Sequence, residues 1–396
     1  GCGGNRGLSC GRLESICAVG QQTHCQVGDA GNREGGCFVA RRVLAIEPAD
    51  PSPVYDLECY PHHNFVASGI VVHNCAWCFA QTQANEPDEI TQECFFSFLR
   101  DAAEIGVKGV SFISDGESTL VDWYADAIEY GHSLGLSIGA GSNGIKLTKD
   151  VLERVLPCLS YLRFNFSAGE KHRYAEIMGL RQHYFDVVIQ NIKDGMEIIR
   201  RDNLPCSLNM QIVLHPRDGD QILPFARFAK QLQPVYAVLK HCSDSDDGSI
   251  GVDYSKYPGL YDDLRAAEAM SDKTCRIVVK WDKIQTGWNR AYIKCFGPNF
   301  IMQMSGSGLV TVCGMKFNEK HKALHIGSIV KQRFKDIWES DRWNEVMNYI
   351  GSEHFNPQCR CGSLCLQHET NNWLWANING QVDYPTGSPP PDLAFI

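Results

Sequence analysis

From residue 107 to residue 241 the chain alternates short apolar runs with helical stripes, and this alternation limits the possible folds more than any other feature. Residues 107–113 read as a strand, 119–134 as a helix and 136–140 as a strand, and a helix over 148–156 stops at Pro157. A strand over 161–167 follows, then helices over 171–178 and 185–200, a strand over 207–214, a helix over 221–232 and a strand over 235–241. Ahead of them, Ile90, Cys94, Phe95, Phe98, Leu99 and Ala102 form one stripe of a helix over 87–104, closed by Gly106. Repeated strand-helix units of this length imply an α/β fold with a parallel sheet, open or closed into a barrel.

Two strands add a detail. Leu162, Phe164 and Phe166 alternate with Arg163, Asn165 and Ser167, and Leu208, Met210 and Ile212 alternate with Ser207, Asn209 and Gln211. A buried parallel strand is normally apolar on both faces, so two half-polar strands predict a lined cavity, solvated or filled by a ligand.

The chain has 18 cysteines among 396 residues and no run of about 18 apolar residues, so no membrane span is expected. Gly1 to Gly20 lacks the layout of a secretion signal, which gives a cytoplasmic reading. In a reducing compartment so many thiols favour metal binding over disulfides. Cys158, Cys206, Cys242 and Cys275 stand singly and read as small buried hydrophobes, and Cys2, Cys10, Cys17, Cys25 and Cys37 fit no zinc spacing. A net charge of -9 argues against broad nucleic-acid binding. The stretch 1–36 should have little structure of its own, and the start at Gly1 rather than Met suggests a fragment or a processed piece.

Residues 38–74 break into short strands with Pro or Gly turns, a small all-β piece that ends on His73-Asn74 before Cys75. An Asn side chain can attack its own carbonyl and break the next peptide bond; a neighbouring His can protonate the leaving amine, and a following thiol can take up an acyl group. Together with Val54 to Glu58, His63 to Ala67 and Gly69 to Val72, this ending resembles the C-terminal blocks of an intein. The resemblance implies Asn74 as the scissile residue, His73 as its helper, Cys75 as the nucleophile, and Asp56 and His63 as assisting acid and base. No N-terminal intein block is present, so the expected partner is an upstream half, either of a split intein or of one truncated upstream.

Right of the junction, Cys75-Ala76-Trp77-Cys78 resembles the last two cysteines of the C-x3-C-x2-C motif of radical S-adenosylmethionine (SAM) enzymes. Asp115-Gly116-Glu117, after the strand over 107–113, resembles that family's Gly-Gly-Glu motif, with Asp115 where Gly is usual. Ser142-Asn143-Gly144 follows the next strand, and Asn165 and Ser167 sit on the one after. The resemblance implies a partial (β/α)6 barrel lacking its first strand, a 4Fe-4S cluster on Cys75 and Cys78, and SAM held by Trp77, Asp115, Gly116, Glu117, Ser142, Asn143, Asn165 and Ser167. It also implies a reductant such as flavodoxin or ferredoxin, and reductive cleavage of SAM to a radical that takes hydrogen from a substrate. Four residues before Cys75 stands Val71, so the third cluster cysteine would lie upstream of the intein, and splicing would complete the site.

Beyond the polar turn at 244–248, Cys295, Cys313, Cys359, Cys361 and Cys365 resemble the SPASM or twitch extension of radical SAM enzymes. Five cysteines imply one auxiliary iron-sulfur cluster using four of them, with the choice among Cys359, Cys361 and Cys365 open and a structural zinc as the alternative. The expected organisation is a loose stretch over 1–36, an intein piece over 37–74, a radical SAM core over 75–245, a mixed α+β auxiliary domain over 246–380 and a loose tail over 381–396. The expected function is modification of a peptide or protein; an electron-transfer or structural metal protein is the competing reading.

Overall fold

A computed structural model describes residues 23–27, 43–48, 64–67, 70–73 and 90–381, other than 114–115, 246–247, 249, 287–288 and 363–364. The chain divides into two units, Gly1–Cys59 with Asn64–Val72, and Tyr60–His63 with His73–Ile396. Near the N-terminus, β1 (Thr23–Val27) pairs antiparallel with β2 (Val43–Pro48), and β3 (Asn64–Ala67) pairs with β4 (Ile70–His73). β1 corrects the expectation of little structure over 1–36. Its period-2 pattern, Thr23, Cys25 and Val27 against His24 and Gln26, is too short to stand out from its Gly- and Gln-rich flanks. Of the residues assigned to splicing, Asp56, His63, Asn74 and Cys75 lie outside the described residues, as do Trp77, Cys78 and Asp115.

The larger unit opens with α1 (Gln92–Glu104), where the Thr91 hydroxyl caps the helix by accepting from the Cys94 N–H at 3.2 Å. Alternation then runs β5 (Gly109–Phe112), α2 (Tyr124–Ser133), β6 (Ser137–Ser142), α3 (Lys149–Val155), β7 (Leu159–Asn165), α4 (Lys171–Met178), α5 (His183–Asp202), β8 (Ser207–Leu214), α6 (Ile222–Leu232), β9 (Tyr236–His241), α7 (Tyr261–Glu268), β10 (Arg276–Val279) and α8 (Trp281–Thr286). The helix expected from 119 begins only at Tyr124, because the Glu117 carboxylate caps a separate 3-10 turn at Ser118–Leu120.

All six strands are parallel, in the order β10-β9-β8-β7-β6-β5. The sequence reading expects five of them and ends the core at 245. β10 is a correction: the polar turn at 244–248 does not end the sheet, since 276–279 return to pair with β9. Strand order that follows chain order, with right-handed crossovers, sets the helices against one face. On that face Ile138, Ala140, Leu162, Phe164, Leu208, Met210, Ile212, Ala237 and Leu239 are buried. Each large one stabilises the sheet by about 1.5–3 kcal/mol. The opposite face carries Tyr161, Arg163, Asn165, Asn209, Gln211 and Lys240, the half-polar pattern read from the sequence.

After the sheet come β11 (Gln303–Met304), β12 (Leu309–Thr311) and β13 (His325–Ser328) in one antiparallel sheet, then α9 (Phe334–Trp338), α10 (Asp341–Ile350), α11 (Pro357–Arg360) and α12 (His368–Ile378). This part is clamped to α1 by the fully buried Asp101, which accepts from the Arg333 guanidinium and from the Lys335 N–H at 3.3 Å. Phe98 and Phe334 meet beside it edge-on, ring centres 4.9 Å apart. Among the described residues no helix is long and apolar enough to cross a membrane. Cys206, Cys242 and Cys275 are buried within the core, while Cys158 is half-buried against it.

Candidate functional site

Two clusters of chemically useful groups form in the larger unit. The first lies at the C-terminal ends of β5 and β6. The Glu117 carboxylate accepts from the Ser142 hydroxyl (2.7 Å), the Asn143 N–H (2.7 Å) and the Thr119 hydroxyl (2.7 Å). Three residues singled out in the sequence thus meet. The turn they make is held from both sides: Ser142 Oγ accepts from the Gly144 N–H at 2.9 Å, and the Asn191 amide donates to the Gly144 carbonyl at 2.7 Å. Gly144 sits at φ +83°, where a Cβ would lie 2.5 Å from the Phe164 ring, so only glycine fits without distortion.

Further along the polar face, Gln211 donates to Asn165 Oδ1 at 3.1 Å, across a register that pairs the two residues directly. Ser167 is buried just past the end of β7. Arg163 and Lys240, two cations outside the residues that the resemblance implies, lie on this face. Arg163 is half-buried, its enclosed Nε has no hydrogen-bond partner among the described residues, and desolvation pulls its pKa down. Lys240 is pushed down to about 7, first by burial and then by the Arg163 and Lys283 charges. Among the described residues neither cation forms an ion pair with a carboxylate. Beside Arg163, β6 carries Gly141, where a Cβ would lie 3.4 Å from the guanidinium, and next to it Gly139, where a Cβ would lie 2.2 Å from the Tyr161 ring. The alternation that placed Arg163 on a polar face was visible in the sequence; the lack of a counter-charge was not.

The second cluster is made of thiols. Cys295 follows α8, Cys313 follows β12, Cys361 follows α11 and Cys365 precedes α12. The Cys295 thiol is pushed up to about 12, first by burial and further by Cys365, Cys361 and Cys313; a hydrogen bond from Asn371 opposes the rise. Cys313 is pushed up to about 12 by burial and by Cys365 and Cys361. The four thiols therefore share one neighbourhood. Cys359 is exposed on α11. Three cations hold the segment that carries Cys361 and Cys365: Arg290 donates to the Cys361 carbonyl (3.3 Å), Lys316 to that of Arg360 (3.2 Å) and Lys283 to that of Cys365 (3.0 Å). Their charge complements an anionic group bound by thiolates. Among the described residues no three His, Cys, Asp or Glu side chains converge closely enough to hold a single metal ion.

Residues 295–365 match the SPASM domain, an iron-sulfur cluster-binding domain; the matched span begins and ends on two of the gathered cysteines. The chain is 22% identical over 288 residues to the AdoMet-dependent heme synthase of Methanosarcina barkeri (strain Fusaro / DSM 804), spanning 67% of this chain and 78% of that protein. A 58-residue stretch is 45% identical to the tRNA-splicing ligase RtcB of Pyrococcus abyssi (strain GE5 / Orsay), covering 14% of this chain and 6% of the ligase. In fold the chain is similar to Streptococcus suis SuiB bound to S-adenosylmethionine, with a TM-score of 0.53 at 16% identity over 70% of this chain and 65% of SuiB. The SuiB structure bound to precursor peptide SuiA gives 0.52 at 15% identity, with the same coverage. Native anSMEcpe with bound AdoMet gives 0.50 at 13% identity, over 77% of this chain and 94% of that one. The likeness to SuiB spans just under two thirds of that protein's own length. The parallel α/β sheet is thus a fold shared with structures solved with S-adenosylmethionine.

Proposed function

We propose that the chain is a radical SAM enzyme with one auxiliary iron-sulfur cluster, acting on a peptide or protein, and that splicing at Asn74 and Cys75 matures it. The observation that carries the reading is the gathering of Cys295, Cys313, Cys361 and Cys365 from separate segments, within the SPASM match and behind a parallel sheet with a polar face. Four thiolates can also hold a zinc ion, but the match of residues 295–365 to an iron-sulfur cluster-binding domain favours a multi-iron cluster here. We assign those four as its ligands and leave Cys359 out.

The chain's own residues have distinct tasks in this reading. Cys75 and Cys78 hold the SAM-binding cluster together with a cysteine that splicing supplies, since Val71 stands at the third position. Bound together, that cluster and SAM supply one-electron cleavage of a sulfonium and removal of a hydrogen atom. Glu117, Ser142 and Asn143 build the rim on which SAM is oriented; Asn165, Gln211 and Ser167 continue it inward. Arg163 and Lys240 give the cavity positive charge for a carboxylate of SAM or of the substrate. A peptide substrate is favoured by the fold shared with SuiB, a structure solved with its precursor peptide.

In maturation, the Asn74 amide attacks its own carbonyl, His73 protonates the departing amine, and the Cys75 thiol has by then accepted the upstream chain; Asp56 and His63 assist. Two experiments test the proposal. Anaerobic reconstitution of spliced protein should load two clusters and release 5′-deoxyadenosine on reduction with SAM; two loaded clusters with no deoxyadenosine would leave an electron-transfer protein. Asn74→Ala should abolish cleavage before Cys75, and a product beginning at Cys75 in mass spectrometry would overturn the splicing step.

A further inference from the structure

We propose that α12, with Tyr292 opposite it, sets the reduction potential of the auxiliary cluster by aiming hydrogen-bond donors at two of its sulfurs. The inference rests on the assignment of Cys295 and Cys365 as ligands. Asn371 is fully buried, and its Oδ1 accepts from the backbone N–H groups of Phe296 (2.7 Å) and Gly297 (3.0 Å). That double contact fixes which end of the amide is which, so Nδ2 points at Cys295 Sγ, 3.5 Å away. A donor has been placed against this sulfur and cannot rotate off it.

Tyr292 serves Cys365 in the same way. It is 1% exposed, with its hydroxyl 3.6 Å from Cys365 Sγ and 3.1 Å from His368 Nδ1. Asn372 Nδ2 lies 3.0 Å from His368 Nε2 and can only donate. Nε2 is then the acceptor, the neutral ring carries its proton on Nδ1, and that proton goes to the tyrosine oxygen. The one proton of Tyr292 is left for sulfur. Asn372, His368 and Tyr292 thus form a directed chain ending on Cys365, and three of the four side-chain groups involved come from α12. Gln367 works against the two donors: its Nε2 is held by the Ile301 (2.6 Å) and Val312 (3.0 Å) carbonyls, which leaves Oε1 3.8 Å from Cys295 Sγ. Once that thiol loses its proton to bind iron, the contact holds no hydrogen.

A hydrogen bond to a ligating thiolate withdraws charge from it and favours the cluster form with one more electron, so each donor raises the potential. Tyr292→Phe keeps the ring and removes the proton. Asn371→Asp keeps the two backbone contacts and replaces the donor with an acceptor. The test uses full-length reconstituted protein: iron and sulfide per chain, and electron paramagnetic resonance of the auxiliary signal, the one that SAM does not perturb, across a redox titration. Tyr292→Phe should keep its iron and lower the reduced-to-oxidised ratio at a fixed potential about threefold. Asn371→Asp should lower it about tenfold, 59 mV for one electron. Iron-loaded variants with an unmoved midpoint would overturn the proposal, and so would loss of the cluster from both, which would make these residues scaffold for assembly. If the unmodified protein takes up zinc and no second cluster, the assignment of an auxiliary cluster fails instead.

Discussion

The polar face of the parallel sheet and the four-thiol site treat charge in opposite ways. Around the thiols most of the contacts are complementary to an anionic group: Arg290, Lys316 and Lys283 bind the carbonyls of the segment that carries Cys361 and Cys365, and Asn371 and Tyr292 point hydrogens at sulfur, with Gln367 Oε1 the exception. On the polar face of the sheet, Arg163 and Lys240 are half-buried with no ion pair to a carboxylate among the described residues, and desolvation disfavours the charge on both. In the proposed function the first site is preorganised to hold a resident group and the second keeps positive charge for a transient ligand. A structural site minimises its unpaired groups, whereas a site for a transient ligand keeps some, because an ammonium already paired within the protein has less to offer a substrate.

The largest effect that would break this contrast is at the thiols. Cys295→Ala or Cys313→Ala should remove one cluster's worth of iron, about four atoms per chain, and lower the unfolding temperature, because binding energy at such a site is folding energy. Retention of full iron by both variants would dissolve the proposed site.

Lys240→Met comes next, with the opposite sign. In the folded chain the ammonium is pushed down from its ordinary 10.5 to about 7. From about pH 7 to about 10 the unfolded chain binds the extra proton, so stability should rise with pH across that window and be lowest below it. The methionine variant should be more stable at pH 7, by an amount on the order of a few kcal/mol, and lose that slope, as read by urea unfolding at several pH values. An unchanged slope would mean that the charge already has a partner.

A smaller change should follow Glu117→Gln. One of its oxygens becomes an NH2 group, and it must then face either the Asn143 N–H or the hydroxyls of Ser142 and Thr119. A cost of about 1 kcal/mol is expected in the same unfolding assay, with weakened SAM binding by calorimetry. Smallest of all, Cys359→Ala should leave iron content unchanged and stability within about 0.5 kcal/mol, since the residue is exposed. Iron loss there would bring Cys359 into the ligand set in place of one of the four.

Much of this could be read from consecutive residues. The strand-helix alternation gave the parallel sheet, and the half-polar runs at Arg163 to Ser167 and Ser207 to Gln211 placed a polar face on it. Single apolar cysteines such as Cys206 and Cys275 were distinguishable from the clustered ones. Such features lie in local order, because side-chain periodicity reports which face a residue takes in its own element. The short strand β10 lay beyond that reach: four residues after a polar turn signal a strand only when β9 is there to pair with them.

The sequence by itself determined the α/β architecture, the five candidate cluster cysteines and the residues of the β5–β6 rim. Tertiary structure alone decided that Cys295, Cys313, Cys361 and Cys365 share a neighbourhood while Cys359 faces solvent, that Glu117 binds Ser142 and Asn143, and that Asn371 and Tyr292 reach sulfur. The physical reason is range. Propensity and periodicity act over a few residues, but the convergence of thiols and donors depends on how distant segments pack, and no local pattern encodes that distance.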